Sequence, residues 1–175
     1  PNIDNFEHII KGQTLVQIYD KYFAGEEKKQ EDITQKLNEF EQNMPFNYVD
    51  GFESFVKDLK NKSIKTAVVT SSNLEKMQNV YRKHPEFQSY FDAILTAEDF
   101  AESKPSPDCY LKAAARFGVQ SKECIVFEDS FNGLRSGVSS GARVIGLATT
   151  NPIHEIKKYT DKVISNYIGF TLPNN

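Results

Sequence analysis

The chain has 175 residues, 39% of them hydrophobic and 12% aromatic, with a formal net charge of −3 at pH 7. That length suits one core plus a small appendage, since single domains commonly run to ~100–200 residues. No Lys/Arg cluster offers a footprint for nucleic acid, and no apolar stretch approaches the ~20 residues that span a bilayer, so neither nucleic acid nor membrane is an expected partner. The acid-containing N-terminus has no signal-peptide pattern, and a cytoplasmic location is the expectation. Cys109 and Cys124 lack CxxC spacing and a neighbouring histidine, so they read as two buried thiols rather than a zinc site or a disulfide.

Residues 6–43 show helical spacing, with Ile10, Thr14, Ile18 and Tyr22 on one face and Ile33, Leu37 and Phe40 in a second stretch after Gly25. This predicts a helical hairpin. Proline disfavours helix continuation and pushes the residue before it to extended geometry, so Met44-Pro45 marks a boundary between residues 1–45 and 46–175. Beyond it, helices alternate with short β-branched runs. Phe52, Phe55, Val56 and Leu59 mark one helix, Thr66-Ala67-Val68-Val69-Thr70 a strand, and Met77, Val80 and Tyr81 a second helix. Further strands are expected at Ala93-Ile94-Leu95, Cys124-Ile125-Val126-Phe127 and Val144-Ile145-Gly146-Leu147, with helices over 107–117 and 131–140 between them. Uniformly apolar strands separated by amphipathic helices predict an α/β fold with a doubly wound parallel sheet, covered on both faces.

In such sheets ligands bind beyond the carboxyl ends of the strands, where three polar clusters fall. Thr70, Ser71 and Ser72 follow one strand directly; a hydroxyl and successive backbone N–H groups there cradle a phosphoryl oxygen, or Ser72 or Asn73 simply caps the next helix. Lys104 lies in Ser103-Lys104-Pro105-Ser106-Pro107, with Pro107 suited to the first helical position and Ser106 to the cap. It offers a compact cation for a transferring phosphoryl group, or a solvated loop charge. Glu128 and Asp129 end an apolar run, and adjacent carboxylates repel unless a cation or donors compensate. A hard divalent metal answers that need, with one carboxylate as direct ligand and the other beside it; so does a helix N-terminus, which favours acidic residues. His8, His84 and His154 are far apart and adjoin no strand end, as surface histidines would. Ser130 reads as a helix cap or a contact of the metal shell.

Taken in order, Val68-Val69-Thr70-Ser71-Ser72, Ser103-Lys104-Pro105-Ser106-Pro107-Asp108 and Phe127-Glu128-Asp129-Ser130, with Gly133 and Ser140-Gly141-Ala142, resemble the second, third and fourth motifs of the haloacid dehalogenase superfamily. The likeness is to its beta-phosphoglucomutase-like branch and runs over residues 6–147. Lys11-Gly12-Gln13-Thr14 looks like the glycine turn in the cap domain of that branch, so Gly12, Gln13 and Thr14 are the expected cap specificity residues. The resemblance implies a Rossmann-like three-layer core over 46–175 and a helical cap, partial here, over 1–45. It implies Mg2+-dependent phosphoryl transfer through an aspartyl-phosphate, with Thr70, Ser71, Ser72 and Lys104 on the phosphate, Thr70 and Lys104 as catalytic groups, and Asp129 with Glu128 at the metal.

Two departures sharpen the expectation. The family's opening motif, a strand ending in Asp-x-Asp, has no match in these 175 residues, so the core is expected to lack its first strand, which in the family lies between the strands at Thr66-Thr70 and Cys124-Phe127. The mutases of the branch carry an arginine just after the cap turn, where this chain has Leu15, and an apolar residue cannot pair with a dianion. The expectation is a phosphatase of small phosphorylated metabolites such as sugar phosphates, monomeric by default. A beta-phosphoglucomutase-like mutase and a catalytically silent phosphate- or metal-binding module are the alternatives.

Overall fold

The computed structural model describes residues 4, 6–10 and 13–172, which divide into two compact units, residues 1–45 and 46–175. The first holds helices α1 (Phe6–Ile10), α2 (Leu15–Tyr22) and α3 (Glu27–Asn43). The helical face expected to run through Ile10 and Thr14 is interrupted, because Thr14 caps α2 instead of lying inside a helix. Its Oγ1 accepts the Gln17 N–H at 3.2 Å while Gln17 Oε1 accepts the Thr14 N–H at 2.9 Å, a reciprocal capping box that satisfies two donors left over at a helix start. Tyr19 joins α2 to α3, its hydroxyl lying 2.7 Å from Thr34 Oγ1 and 3.0 Å from the Gln30 carbonyl. Ile18 and Phe23 are the buried apolar residues among those described in this unit.

In the second unit helices and strands alternate, as expected through β4 and beyond expectation in α8 and β5: α4 (Phe52–Asn61), β1 (Ala67–Val69), α5 (Leu74–Lys83), β2 (Ala93–Leu95), α6 (Asp108–Arg116), β3 (Ile125–Glu128), α7 (Phe131–Ser139), β4 (Arg143–Leu147), α8 (Ile153–Ile156) and β5 (Val163–Ile164). Every strand pairing is parallel, β1 with β2 and β3 with β4 with β5, in the α/β class the apolar runs predict. The strands form two separately bonded sheets. Among the described residues, the edge of β1 away from β2 and the edge of β3 away from β4 have no partner strand.

Two differences from expectation, the bounds of β3 and the cap of α6, have local causes. β3 begins and ends one residue later than its apolar run, because Glu128 pairs in register with Gly146 and so closes the strand instead of following it. Pro107 occupies the cap position of α6, whose first helical residue is Asp108, and the N–H of Asp108 reaches Ser106 Oγ at 3.4 Å. Of the two caps offered for α5, Asn73 takes the place, accepting the Lys76 N–H at 2.9 Å. β5 is two residues long and follows no apolar run, so no periodic signal marks it. Cys109 is fully buried but Cys124 is partly exposed, which corrects the reading of two buried thiols; burial raises both thiol pKa values.

Two groups of side chains make the core. Phe55, Leu59, Leu147 and Tyr167 are packed with Phe127 and Phe170, while Cys109, Tyr110 and Val126 are packed with Val69, Phe100 and Val144. The second group lies under the carboxyl ends of β1 and β3, so the same contacts that stabilise the fold also hold the polar groups at those ends. Gly51, at φ +79°, begins α4 with its Cα so close to the backbone of Tyr167 and Ile168 that a Cβ would overlap it.

Candidate active site

The strand ends meet at a lysine. Lys104, in the loop before α6, sends its ammonium to the carbonyl of Val69 at the end of β1 (3.1 Å), to the Tyr110 hydroxyl on α6 (3.1 Å) and to Glu128 Oε1 at the end of β3. The side chains of Lys104 and Glu128 are only 11% and 9% exposed, so this is a buried ion pair rather than the solvated loop charge that Lys104 alone would suggest. The loop is pinned on both sides. Asp108 Oδ2 accepts the Ala101 N–H at 2.7 Å, and Ser136 on α7 donates to the Ser106 carbonyl at 2.6 Å. The Lys112 ammonium, 3.1 Å from Asp108, and the Ala101 N–H hold that carboxylate below its usual pKa.

Glu128 is fully engaged. Besides Lys104, its Oε1 accepts the Tyr110 hydroxyl, and Oε2 accepts Ser130 Oγ at 3.3 Å. Ser130 also caps α7 by accepting the Gly133 N–H at 3.1 Å, which is the capping reading. The carboxylate lies over Gly133, where any Cβ would overlap it. Burial and the neighbouring Glu128 charge push the Tyr110 hydroxyl well above its ordinary pKa.

Asp129 faces the other way and is half-buried. Thr149 and Thr150, just past β4, both donate to its Oδ2, at 3.1 and 2.6 Å, and the Asn151 side-chain amide donates to its backbone carbonyl at 2.8 Å. A hard cation prefers carboxylate oxygen, and Mg2+ takes only one or two such ligands, so Asp129, whose carboxylate meets the neutral hydroxyls of Thr149 and Thr150, fits a direct ligand. Glu128, already compensated by Lys104, fits the place beside it. Among the described residues no three His, Cys, Asp or Glu side chains cluster as a complete metal cage.

Thr70 directly follows the Val69 carbonyl that Lys104 holds. Its N–H belongs to the sheet, bonded to the Leu95 carbonyl at 3.0 Å, and its Oγ1 accepts the Ser72 N–H at 3.1 Å. The Ser72 N–H is therefore turned back into the loop, while the Thr70 hydroxyl hydrogen remains able to donate. Ser71 is exposed at the turn. In the first unit Gln13 donates through Nε2 to the Ile9 carbonyl at 2.7 Å and Thr14 caps α2; Gly12 lies outside the described residues. His84 sits against Tyr48 and Glu86, His154 is exposed, and the side chain of His8 lies outside the described residues.

Sequence reasoning missed Tyr110, Thr149, Thr150 and Asn151. The strand-end rule that picks out Thr70-Ser71-Ser72 also picks out Thr149-Thr150-Asn151, since they follow the apolar run of β4. For Tyr110 the signal is fainter: a tyrosine on a helix face otherwise made of Cys109, Ala113 and Ala114 brings a hydroxyl into the core, and a buried hydroxyl finds a partner.

A family profile described as haloacid dehalogenase-like hydrolase matches residues 3–147. The chain belongs to the haloacid dehalogenase-like hydrolases. Its fold is that of the beta-phosphoglucomutase-like branch of these hydrolases. A family IA, variant 3 hydrolase from Entamoeba histolytica superposes with a TM-score of 0.82 at 27% identity, covering 98% of this chain and 81% of that one. Beta-phosphoglucomutase from Clostridium difficile shares the fold with a TM-score of 0.70 at 21% identity, covering 90% of this chain and 70% of that one. A probable pseudouridine-5'-phosphatase of Drosophila melanogaster is 28% identical over 163 residues, 89% of this chain and 68% of that protein. Fructose-1-phosphate phosphatase YqaB of Escherichia coli is 40% identical over 58 residues, 33% of this chain and 31% of that protein. The chain spans about half the length, or less, of several curated relatives it matches, 52% of CbbY from Cereibacter sphaeroides and 32% of an Arabidopsis thaliana riboflavin kinase/FMN phosphatase.

Proposed function

We propose that the protein is a Mg2+-dependent phosphatase acting on a small phosphorylated metabolite such as a sugar phosphate. The observation that carries this reading is the Lys104 ammonium fixed between the carboxyl ends of β1 and β3, with Asp129 next to its partner Glu128 and held by the hydroxyls of Thr149 and Thr150. Membership of the hydrolase family and the phosphatases among its relatives support it.

In this reading Lys104 places a positive charge where the phosphoryl group develops negative charge, in a site with little water to screen it. Thr70 donates its hydroxyl to a phosphoryl oxygen, and the turn at Ser71 and Ser72 contributes backbone polarity. Asp129 holds Mg2+, which when bound polarises a phosphoryl oxygen and offsets its charge. Glu128 sets the position of Lys104. The family route through an aspartyl-phosphate needs a carboxylate nucleophile, and none of the residues assigned above takes that role. Leu15, at the position where the mutases have arginine, favours hydrolysis over transfer to a second phosphate.

The test is release of inorganic phosphate by the full-length protein from a panel of sugar and nucleotide monophosphates, with Mg2+ and with a chelator. Release that needs Mg2+ and falls at least ~100-fold in Asp129→Ala and Lys104→Ala supports the reading, since removing a single charge-stabilising group costs on that order. Undiminished hydrolysis in Asp129→Ala would sink it. Interconversion of hexose phosphates on adding a bisphosphate, or tight phosphate binding without turnover, would replace it with the mutase or the silent binding module.

A further inference from the structure

An ammonium group has three hydrogens, and Lys104 meets three acceptors: the Val69 carbonyl, the Tyr110 hydroxyl and Glu128 Oε1. Two of these come from strands that are not bonded to each other; the third comes from α6. Tyr110 is buried, and its hydroxyl accepts from the lysine while donating its own hydrogen to the same Glu128 oxygen. Its ring also lies beside the charge, with Nζ 5.0 Å from the ring centroid. A lysine on its four-carbon stem has many rotamers, so a fixed ammonium needs directional partners as well as an opposite charge. A residue present only to fill the core at this position would gain nothing from a hydroxyl, and phenylalanine would fill the same space.

We propose that Tyr110 is a positioning residue of the candidate site: its hydroxyl, bonded at once to Lys104 and Glu128, fixes the lysine ammonium at the carboxyl ends of β1 and β3. The triangle Lys104–Tyr110–Glu128 makes the lysine's place independent of any bound ligand, so a phosphoryl group arriving there finds the charge already aimed. For its kinetic consequence the proposal rests on the phosphatase reading; for its geometric content it does not.

Two measurements on the full-length protein separate these. Nuclear magnetic resonance of 15N-labelled protein detects a lysine ammonium whose hydrogens are held, and the Lys104 signal is assigned by its loss in Lys104→Met. In the wild type this signal is expected to be resolved and to show a nuclear Overhauser contact to the Tyr110 ring; in Tyr110→Phe, which keeps the ring, it broadens away. In the phosphate-release assay Tyr110→Phe is expected to lower kcat about tenfold, the scale of one hydrogen bond to a charged group, with KM within twofold. A wild-type Lys104 signal without the contact to Tyr110, or a signal and a kcat both unchanged in Tyr110→Phe, overturns the proposal. Should the wild type release no phosphate, the phosphatase reading falls, and the ammonium signal alone decides the place of Tyr110. The wild-type contact needs no variant, so it decides even if Tyr110→Phe does not fold.

Discussion

Gly133 decides how Glu128 can lie. It is inside α7, where alanine is favoured over glycine by ~1 kcal/mol, so on propensity alone Gly133→Ala would stabilise the protein. A Cβ there would overlap the Glu128 carboxylate, which must then leave Lys104 with its charge buried and unpaired, at a cost of about 3–5 kcal/mol. The expected net effect in urea unfolding is therefore destabilisation, and in a Glu128→Ala background, where the overlap is absent, the sign should reverse. Additive behaviour of the two changes would show that Gly133 does not act through Glu128. On the other carboxylate, Thr150→Val removes one of the two hydroxyl bonds to Asp129 Oδ2 while keeping the side chain's shape. If Asp129 holds Mg2+, titration calorimetry should show its dissociation constant rising about 10-fold, the low end for a lost partner of a metal ligand, and Thr150→Ser should restore it. The acidic pair was legible because two charges ending an apolar run demand compensation. Tyr110 was not, since its role depends on a contact with a strand 18 residues further along the chain.

Among the elements, the register of β1 on β2 is set at its lower end by Asp92. Its Oδ1 meets the Lys65 ammonium at 2.8 Å, its Oδ2 accepts the Thr66 N–H at 3.0 Å, and its own N–H donates to the Thr66 carbonyl at 2.9 Å. The Lys65 bond first, and the Thr66 N–H second, hold the Asp92 carboxyl below its usual value of about 3.9. A carboxyl whose pKa is depressed by folding contributes stability that is fully present above the unfolded value and is lost as pH falls through the folded one. Asp92→Asn should thus be less stable than the wild type near pH 6, with the difference shrinking as pH falls below about 4, in urea unfolding followed across that range. A constant difference would mean that Asp92 acts through geometry rather than charge. From α4 to β4 element type was readable from local pattern, because three or four consecutive apolar residues between amphipathic helices have few other solutions. The ends were not: the last residue of β3 is settled by pairing with Gly146 in β4, which no window around Glu128 contains.

At the scale of the molecule, the α/β class followed from the alternation of strands and helices, while the closure of the core did not. Residues 165–172 carry turn-forming Asn166 and Gly169 beside Tyr167 and Phe170, with no period of either kind, and they lie beyond the stretch that matches the family profile. Yet Tyr167 is buried, its N–H bonds the Asp50 carbonyl at 2.8 Å, and its ring stacks on Phe55 at 5.0 Å and approaches Phe127 of β3 at 5.5 Å. The end of this unit thus covers its beginning, and the aromatic group so formed backs the strand that ends in Glu128. Truncating a buried aromatic side chain to alanine costs ~3–5 kcal/mol, which for a unit of this size lowers Tm by more than ~10 °C. Tyr167→Ala should show that loss by scanning calorimetry, whereas Ile168→Ala, at a side chain 69% exposed, should stay within ~0.5 kcal/mol of the wild type. Equal and small effects at both positions would make the segment an ornament on a core complete without it. A large loss at Tyr167 alone would show that residues outside the family's matched stretch help hold β3, and with it the carboxylates of the candidate site.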